Sequence, residues 1–424
     1  MKTIRFTMNV KAIDCYIYAG YLFLALENGD FGYIPMSKIL HYLKDKYPRY
    51  QHLLRLAFER NDYFSNNTGK TFLGILEVMV ALKDLWLKVS ENEDFVIDFE
   101  DFTDEFVVID KIPSYPILDI KMYAMTMFVG CKDGLFESSL RLQNDRYTIQ
   151  PKKFEKKFGA KVVGLNANSG SVVISAGQDG LFNAPFDMDS GICVNEEAVQ
   201  KVSYRTSWSA YDIVNYSSSS HFDYLTSKLK KNEDRTLRSK FDEKPERFKI
   251  AKLCNKKIDM DSLFAAKQIN FDNIIYAFNS SSSSFVLTYD GFYNMNFIKT
   301  DENSVRLSSR KREFMLFDGK RKIEKPISAS VVPCGCVLEF FDSVVIVQGG
   351  DVMDLEQEPV YGVRTYMNSV RYRNLISITK SNAVTVHSID PFGTYNYDRQ
   401  NNVFGYVGNN SFEFKKDNID ELPF

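Results

Sequence analysis

The sequence is poor in the residues that build metal centres and disulfide frameworks. Its 424 residues include four histidines, two tryptophans and six cysteines. The cysteines are scattered, and the one close pair, Cys334 and Cys336, has no second pair or nearby histidine to complete a zinc site. This spacing is typical of free thiols in a reducing compartment. We therefore expect no metal site, no cofactor and a cytoplasmic location.

Long hydrophobic runs are scarce as well. The early apolar stretch from Cys15 to Leu26 is shorter than the roughly 20 residues that a membrane-spanning helix requires. The segment after it, Glu27-Asn28-Gly29-Asp30, does not provide the small residues of a signal-peptide cleavage site. The sequence therefore predicts neither a membrane anchor nor export.

Neither sign of charge dominates the chain. Lys and Arg together number 53, Asp and Glu 55, and 44% of the residues are hydrophobic. These values are ordinary for a folded globular protein. They exclude a mostly disordered chain and a global polycation.

Motifs for nucleophilic or nucleotide chemistry are absent or incomplete. There is no Gly-x-Ser-x-Gly turn to position a catalytic serine. The segment from Asn67 to Thr71 is similar to the end of a phosphate-binding loop, but Phe64 stands where that loop has its first glycine. We assign no catalytic and no cofactor-binding residue, and the sequence favours a binding protein over an enzyme.

A short repeat is the strongest signal that the sequence contains. Its three clear copies are Asp133-Gly134, Asp179-Gly180 and Asp290-Gly291. Each follows a strand-like run, and Asp-Gly in that position predicts a β-hairpin, because glycine supplies the positive φ of a two-residue primed turn. Gly134 and Gly180 are 46 positions apart, within the range of roughly 40–50 residues for one propeller blade. Weaker copies occur near Gly29, Gly350 and Ser381.

This pattern resembles β-propeller repeat proteins in general, and the spacing of the copies predicts about seven blades. The WD-repeat signature is absent, since Trp86 is followed by Leu87 and Trp208 by Ser209. The expected fold class is all-β with an α-helical insertion, organised as a β-propeller. A pair of tandem β-sandwiches is the alternative.

Two segments interrupt the repeat. Residues 36–90 carry apolar side chains at helical spacing, including Ile39, Leu40 and Leu43, and predict an α-helical insertion. Residues 217–266 are polar and rich in lysine, and predict a charged insertion or loop within the propeller. The propeller itself is expected over residues 1–35 and 91–424.

A basic region lies in the middle of the chain. Residues 220–330 contain 22 basic and 15 acidic side chains. A hairpin turning at Asp318-Gly319 would bring two basic clusters together. The resulting candidate basic patch consists of Arg310, Lys311, Arg312, Lys320, Arg321 and Lys322. Such a patch could contact nucleic-acid phosphates.

These features predict a non-catalytic protein-interaction or scaffold subunit of a cytoplasmic complex. It would dock protein partners through a propeller face and the helical insertion. One alternative is a nucleic-acid-binding subunit that uses the basic 220–330 region. The other is a propeller hydrolase with paired carboxylates in its central funnel.

Overall fold

The structure is a computed structural model. It describes residues 2–59, 75–142, 149–187, 190–209, 212–237, 246–280, 283–301, 304–308, 311–314, 325–333, 335–348, 351–369 and 371–390. No helix in these ranges is long and apolar enough to cross a membrane.

Strands make up most of the regular structure. The first fifteen are β1 Thr3–Asn9, β2 Ala12–Tyr18, β3 Tyr21–Leu26, β4 Asp30–Pro35, β5 Phe95–Asp98, β6 Val107–Lys111, β7 Ile117–Tyr123, β8 Thr126–Cys131, β9 Gly134–Leu142, β10 Ile149–Pro151, β11 Glu155–Phe158, β12 Gly164–Asn168, β13 Ser171–Ser175, β14 Leu181–Asp187 and β15 Gly191–Ile192. The others are β16 Arg205–Ser209, β17 Asp212–Tyr216, β18 Phe222–Leu237, β19 Glu246–Ile258, β20 Ile274–Ser280, β21 Ser283–Thr288, β22 Gly291–Asp301, β23 Ser304–Leu307, β24 Lys311–Phe314, β25 Ser328–Val332, β26 Gly335–Glu339, β27 Val344–Gln348, β28 Asp351–Glu356, β29 Gly362–Thr365, β30 Leu375–Thr379 and β31 Ala383–Ile389.

Helices are few in the described residues. They are α1 Met36–Lys46, α2 Gln51–Leu54, α3 Leu76–Asn92 and α4 Met260–Ala265, with 3₁₀ turns at Pro48–Tyr50, Phe99–Phe102 and Phe271–Asn273 and a π-helical turn at Arg55–Glu59.

The strands form seven small sheets, which are the blades of a seven-bladed β-propeller. In strand order the sheets are β2-β3-β4-β6, β7-β8-β9-β10 with β11 also on β9, β12-β13-β14-β15, β16-β17-β18-β19, β20-β21-β22-β23 with β24 also on β22, β25-β26-β27-β28, and β29-β30-β31-β1-β5. The predicted all-β propeller of about seven blades is confirmed. Seven separate sheets are incompatible with two tandem sandwiches.

The last blade is completed by the N-terminal strand. β1 pairs antiparallel with β31 from Thr3 opposite Ile389 to Asn9 opposite Ala383. β5 then adds to the other edge of β1 in parallel. The first and the last described strands of the chain therefore share one sheet.

The chain divides into two compact units. The first unit comprises Met1–Glu27, Ile34–Phe106 and Pro326–Phe424, and the second comprises Asn28–Tyr33 and Val107–Lys325. The sequence analysis divides the chain differently, into a propeller and two insertions. That division follows the repeat pattern and not compactness, and it stays a prediction.

The core of the first unit forms where helices pack against β1. Ile4, Phe6 and Met8 alternate along β1 and are fully buried, as the period of two of a half-buried strand requires. The Phe6 ring meets Phe58 edge-on, with 5.0 Å between the ring centroids. Trp86 of α3 joins the same cluster. Each such burial removes apolar surface from water, and a large side chain contributes about 1.5–3 kcal/mol.

The two interrupting segments have regular structure in their described parts. α1, α2 and α3 all lie between β4 and β6, the third and fourth strands of one sheet. In the charged segment, β18 and β19 pair as a long antiparallel hairpin. Much of residues 217–266 is therefore organised by backbone pairing. Composition alone did not distinguish a structured insertion from a loop in this segment.

The repeated glycines serve a close approach of two chain segments. In the first clear copy, Cys131 pairs with Gly134, so the two-residue loop is 132–133 and Gly134 opens the next strand. Its φ is +147°, and a Cβ at this position would lie 2.1 Å from the carbonyl oxygen of Phe158 on β11. In the second copy, Gly180 has a φ of +112°, and a Cβ there would lie 2.3 Å from the carbonyl oxygen of Gln200. Because glycine has no side chain, a later segment of the chain, at Phe158 or at Gln200, can pass next to the hairpin.

We predict that Gly134→Ala lowers the free energy of unfolding by about 2–4 kcal/mol, because the added methyl group meets backbone in a left-handed conformation. Gly159→Ala is the control, since no atom lies within 4 Å of a Cβ at that position. Its effect should stay within about 1 kcal/mol. Urea denaturation of both variants measures the difference, and equal losses would contradict the proposed steric role.

Candidate functional site

The predicted basic patch falls largely outside the described residues. Four of its members lie outside the described residues: Arg310, Lys320, Arg321 and Lys322. The predicted turn at Asp318-Gly319 also lies outside them. Lys311 and Arg312 belong to β24, whose backbone pairs with β22. The patch therefore stays a prediction.

The aspartates of the repeat tie hairpin loops to neighbouring polar groups. Asp133 accepts a hydrogen bond from the hydroxyl of Ser114. Asp290 accepts from the Tyr293 hydroxyl, with 2.6 Å between the oxygens. The backbone N–H of Asp179 donates to Ala176 within its own loop. The carboxylates of Asp133 and Asp290 thus have structural partners, whereas the bond at Asp179 involves its backbone only.

A polar cleft of about 350 Å³ lies in the first unit beside β1. The residues of interest on its wall are Thr3 and Arg5 of β1, Glu91 and Asp94 around the end of α3, Asp354 of β28 and His387 of β31. Arg5 donates two hydrogen bonds to Asp94, with distances of 2.6 and 2.7 Å. This paired geometry holds the turn after α3 against β1.

A buried histidine forms the back of the cleft. His387 is only 1% exposed, and its Nδ1 lies 3.3 Å from Oγ1 of Thr3. Its Nε2 lies 3.6 Å from Oε1 of Glu356, and neither of these two atoms has a hydrogen-bond partner. Nζ of Lys380 donates a hydrogen bond to the other carboxylate oxygen of Glu356, Oε2, at 3.1 Å.

Burial sets the protonation of this pair. Loss of hydration lowers the pKa of His387, and the facing carboxylate of Glu356 only partly offsets that effect. Burial raises the pKa of Glu356, but His387 and Lys380 outweigh burial and hold the pKa below its usual value. The pair is therefore a neutral imidazole beside a carboxylate at neutral pH.

The cleft does not have the geometry of an activated nucleophile. A hydroxyl, an imidazole and a carboxylate in sequence are the groups of a catalytic triad. The 3.6 Å separation between His387 and Glu356 is too long for the hydrogen bond that would orient the ring. Within the described ranges, no group of three or more His, Cys, Asp or Glu side chains could hold a metal ion.

Carboxylates on the inner strands of the first unit are also engaged. Asp14 of β2 accepts from Arg364 of β29, with 2.6 Å between Nη2 and Oδ2. Glu339 of β26 accepts a hydrogen bond from Oγ of Ser328. Burial raises the pKa of Glu339. These contacts describe structural ties between strands, and they do not support the hydrolase alternative.

Large apolar side chains are exposed at one end of the sheet β25-β26-β27-β28. Phe341, in the turn between β26 and β27, is 79% exposed, and Ile327, just before β25, is 59% exposed. Ile327 donates its N–H to Glu339, the last residue of β26, so both side chains sit at the same end of the sheet. β28 ends at the same end of the sheet, because its last residue, Glu356, pairs with Val344, the first residue of β27. The connection from β28 then leads to Tyr361, which is 55% exposed. We call Ile327, Phe341 and Tyr361 the apolar rim.

Acidic side chains accompany the apolar rim. Asp342 follows Phe341 directly, and Glu358 lies three residues before Tyr361. Lys380 bridges Glu356 and Glu358, with distances of 3.1 and 2.9 Å. Asp342 and Glu358 therefore lie close in sequence to apolar rim residues, and Lys325 and Lys380 offset part of their negative charge.

Sequence reasoning did not single out the residues of the cleft. The sequence contains four histidines, and no motif or spacing distinguishes His387 among them. The one signal for it is a histidine inside the apolar strand-like run Ala383–Ile389, which places a titratable ring in a buried strand. Arg5 and Asp94 are 89 residues apart, and no spacing rule connects them.

No protein-family model matches this sequence, and the comparison with curated proteins also gives no match. Among solved structures, the chain is similar to the computationally designed protein Ika8, with 8% identity over 92% of this chain and 100% of that chain and a TM-score of 0.41. It is also similar to the WD40 β-propeller domain of Doa1, with 9% identity over 92% of this chain and 94% of that chain and a TM-score of 0.34. Neither similarity identifies a function for this chain.

We predict that acidification destabilises the protein through His387. Its folded-state pKa is lowered, so its contribution to stability is fully present above the unfolded-state pKa of about 6.5 and is lost as the pH falls below that value. One such group changes the free energy of unfolding by at most about 1.4 kcal/mol per pH unit. The stability that Glu356 contributes is fully present above about pH 4.5 and is lost only as the pH falls below that value, because its folded-state pKa is also lowered.

Urea denaturation at about pH 7.5 and about pH 5.5 separates these groups. His387→Gln should reduce the loss of stability between the two pH values. His41→Gln is the control, because His41 is exposed and pairs with Asp45 on the surface of α1. Equal pH dependence in wild type and His387→Gln would contradict the assignment.

Proposed function

We propose that the protein is a non-catalytic docking subunit of a cytoplasmic complex, and that the apolar rim binds a protein partner. The observation that carries this proposal is the 79% exposure of Phe341, at the same end of its sheet as the exposed Ile327. Exposed apolar patches bordered by polar residues are typical of protein interaction sites. A propeller offers such patches on rigid turns, so little conformational entropy is lost on binding.

Charge indicates the chemistry of the partner. Asp342 and Glu358 flank the apolar rim and carry negative charge. Complementary potentials raise association rates and select partners. We therefore expect the partner to present apolar side chains next to lysine or arginine.

The helical insertion is the second docking surface in this proposal. α3 buries Trp86 and Val89 in the core of the first unit, whereas Val80 is 46% exposed and Ile75, just before the helix, is 45% exposed. The buried side chains fix the helix. The exposed ones are available for a partner.

The cytoplasmic location rests on cysteine chemistry. The described cysteines Cys15, Cys131, Cys193, Cys254 and Cys336 are free thiols. Burial raises the pKa of Cys15 to about 11 and that of Cys131 to about 12, which keeps both protonated and unreactive.

The test is site-specific photo-crosslinking in the native host. A photoreactive phenylalanine analogue at Phe341 should capture one defined protein, whereas the analogue at Val352 should not. Val352 lies on β28 of the same sheet and is 38% exposed, which makes it a matched control. The captured protein is then purified, and its affinity for the wild-type chain is measured.

Phe341→Ala with Tyr361→Ala should weaken that affinity about tenfold or more, since buried aromatic anchors carry most of the energy of an interface. Val352→Ala should change the affinity less than about twofold. Equal affinities for all three proteins would overturn the assignment of the rim.

A further inference from the structure

The hairpin formed by β18 and β19 extends beyond the part of β18 that pairs with β17. β17 pairs with β18 only from Phe222 to Leu225. The pairing of β18 with β19 continues beyond that point to Leu237 opposite Glu246. From Ser227 onward the extension is eleven residues long, which corresponds to roughly 35 Å. We call residues 227–237 and 246–256 the basic ribbon.

The base of the ribbon is fixed to the second unit. Asp212 of β17 is 2% exposed and accepts from the N–H of Ser227 at 2.7 Å and from the Tyr224 hydroxyl at 3.0 Å. Nζ of Lys299 lies 3.1 Å from the same carboxylate. Leu253 is buried in a cluster with Trp208. The ribbon therefore starts from a well-anchored base.

Charge in the ribbon is strongly one-sided. Its residues include eight basic and three acidic side chains, for a net charge of +5, whereas the whole chain has a net charge of −2. The strand register places Lys228 opposite Lys252 and Lys231 opposite Lys249. Like charges directly opposite each other destabilise a β-ladder. A bound polyanion would relieve this repulsion.

One face of the ribbon base is open to solvent. Ser227 and Leu253 are paired and buried, so their face meets the core. The next pair, Lys228 and Lys252, points to the opposite face because strand side chains alternate, and both lysines are exposed. Among the residues that the structure describes, no carboxylate pairs with either lysine. Lys256 is exposed as well.

We propose that the basic ribbon binds duplex DNA. A two-stranded antiparallel β-ribbon fits the major groove of B-form DNA, which is about 12 Å wide. Phosphates along the groove would neutralise the opposed lysines and release counterions. The ribbon is distinct from the apolar rim, so this proposal does not depend on the docking function. It also differs from the predicted patch at residues 310–322.

The experiment measures fluorescence anisotropy of a labelled DNA duplex of about 20 base pairs, titrated with the full chain at about 50 and about 200 mM KCl. The ribbon variant is Lys228→Glu/Lys252→Glu/Lys256→Glu. The control is Lys38→Glu/Lys83→Glu/Lys88→Glu, which makes the same change in net charge at exposed positions of α1 and α3. Lys228→Gln/Lys252→Gln/Lys256→Gln removes the charges without adding repulsion, and thermal unfolding checks that all variants fold.

The wild type should bind at low salt, and its affinity should fall as salt rises. The slope of log affinity against log salt should become less steep by roughly 0.9 for each phosphate contact removed, or about 2–3 in the glutamine variant. The affinity of both ribbon variants at low salt should drop about tenfold or more, while the control should stay within about threefold.

Three results would overturn the proposal. The first is no binding of DNA by the wild type at low salt. The second is an equal loss of affinity in ribbon and control variants, which would reflect net charge alone. The third is ribbon-dependent binding to phosphatidylserine vesicles or to an RNA duplex of the same sequence at higher affinity than to DNA.

Discussion

The pairing of β1 with β31 is the contact on which the rest of the structure depends. It joins Thr3–Asn9 to Ala383–Ile389 and so completes the last blade with a strand from the opposite end of the sequence. Without β1, the edge of β31 would be unpaired, which costs backbone hydrogen bonds and invites association. The paired strand also buries Ile4, Phe6 and Met8.

The helical insertion is built on this same strand. Phe58 packs on Phe6, the indole N–H of Trp86 donates to the carbonyl of Lys2, and β5 extends the sheet from β1. The polar cleft then follows from the pairing, because Arg5 and His387 sit opposite each other in the β1–β31 register. The completed blade, the packed insertion and His387 therefore all meet at the β1–β31 pair.

Both long insertions occur in the same kind of connection. α1 to α3 lie between the third and fourth strands of their sheet, and the basic ribbon extends the third and fourth strands of its own. Connections between strands run over the surface and tolerate insertions better than the strands themselves. Insertions there leave the closely packed strands undisturbed. Two very different surfaces, one apolar and helical and one basic and extended, are therefore compatible with the same repeat.

The sequence by itself determined the repeat and, through it, the fold. Asp133-Gly134, Asp179-Gly180 and Asp290-Gly291 each mark the turn between the second and third strands of a sheet. Of the weaker copies, those at Gly29 and Ser381 fall in the same position, between β3 and β4 and between β30 and β31. The copy at Gly350 falls outside the described residues. Hairpins are local, so a few neighbouring residues suffice to specify them.

Only the tertiary structure decided where distant residues meet. The reason Gly134 and Gly180 must be glycine is the passage of a carbonyl oxygen from a later segment, which turn chemistry alone does not reveal. Thr3 and His387 are 384 residues apart, and Arg5 and Asp94 are 89 apart. Local propensities carry no information about such pairs, because the free energy that selects them arises from packing whole strands together. The apolar rim likewise needed the register of β25 to β28, since exposure of Phe341 is a property of the folded sheet and not of its neighbours in sequence.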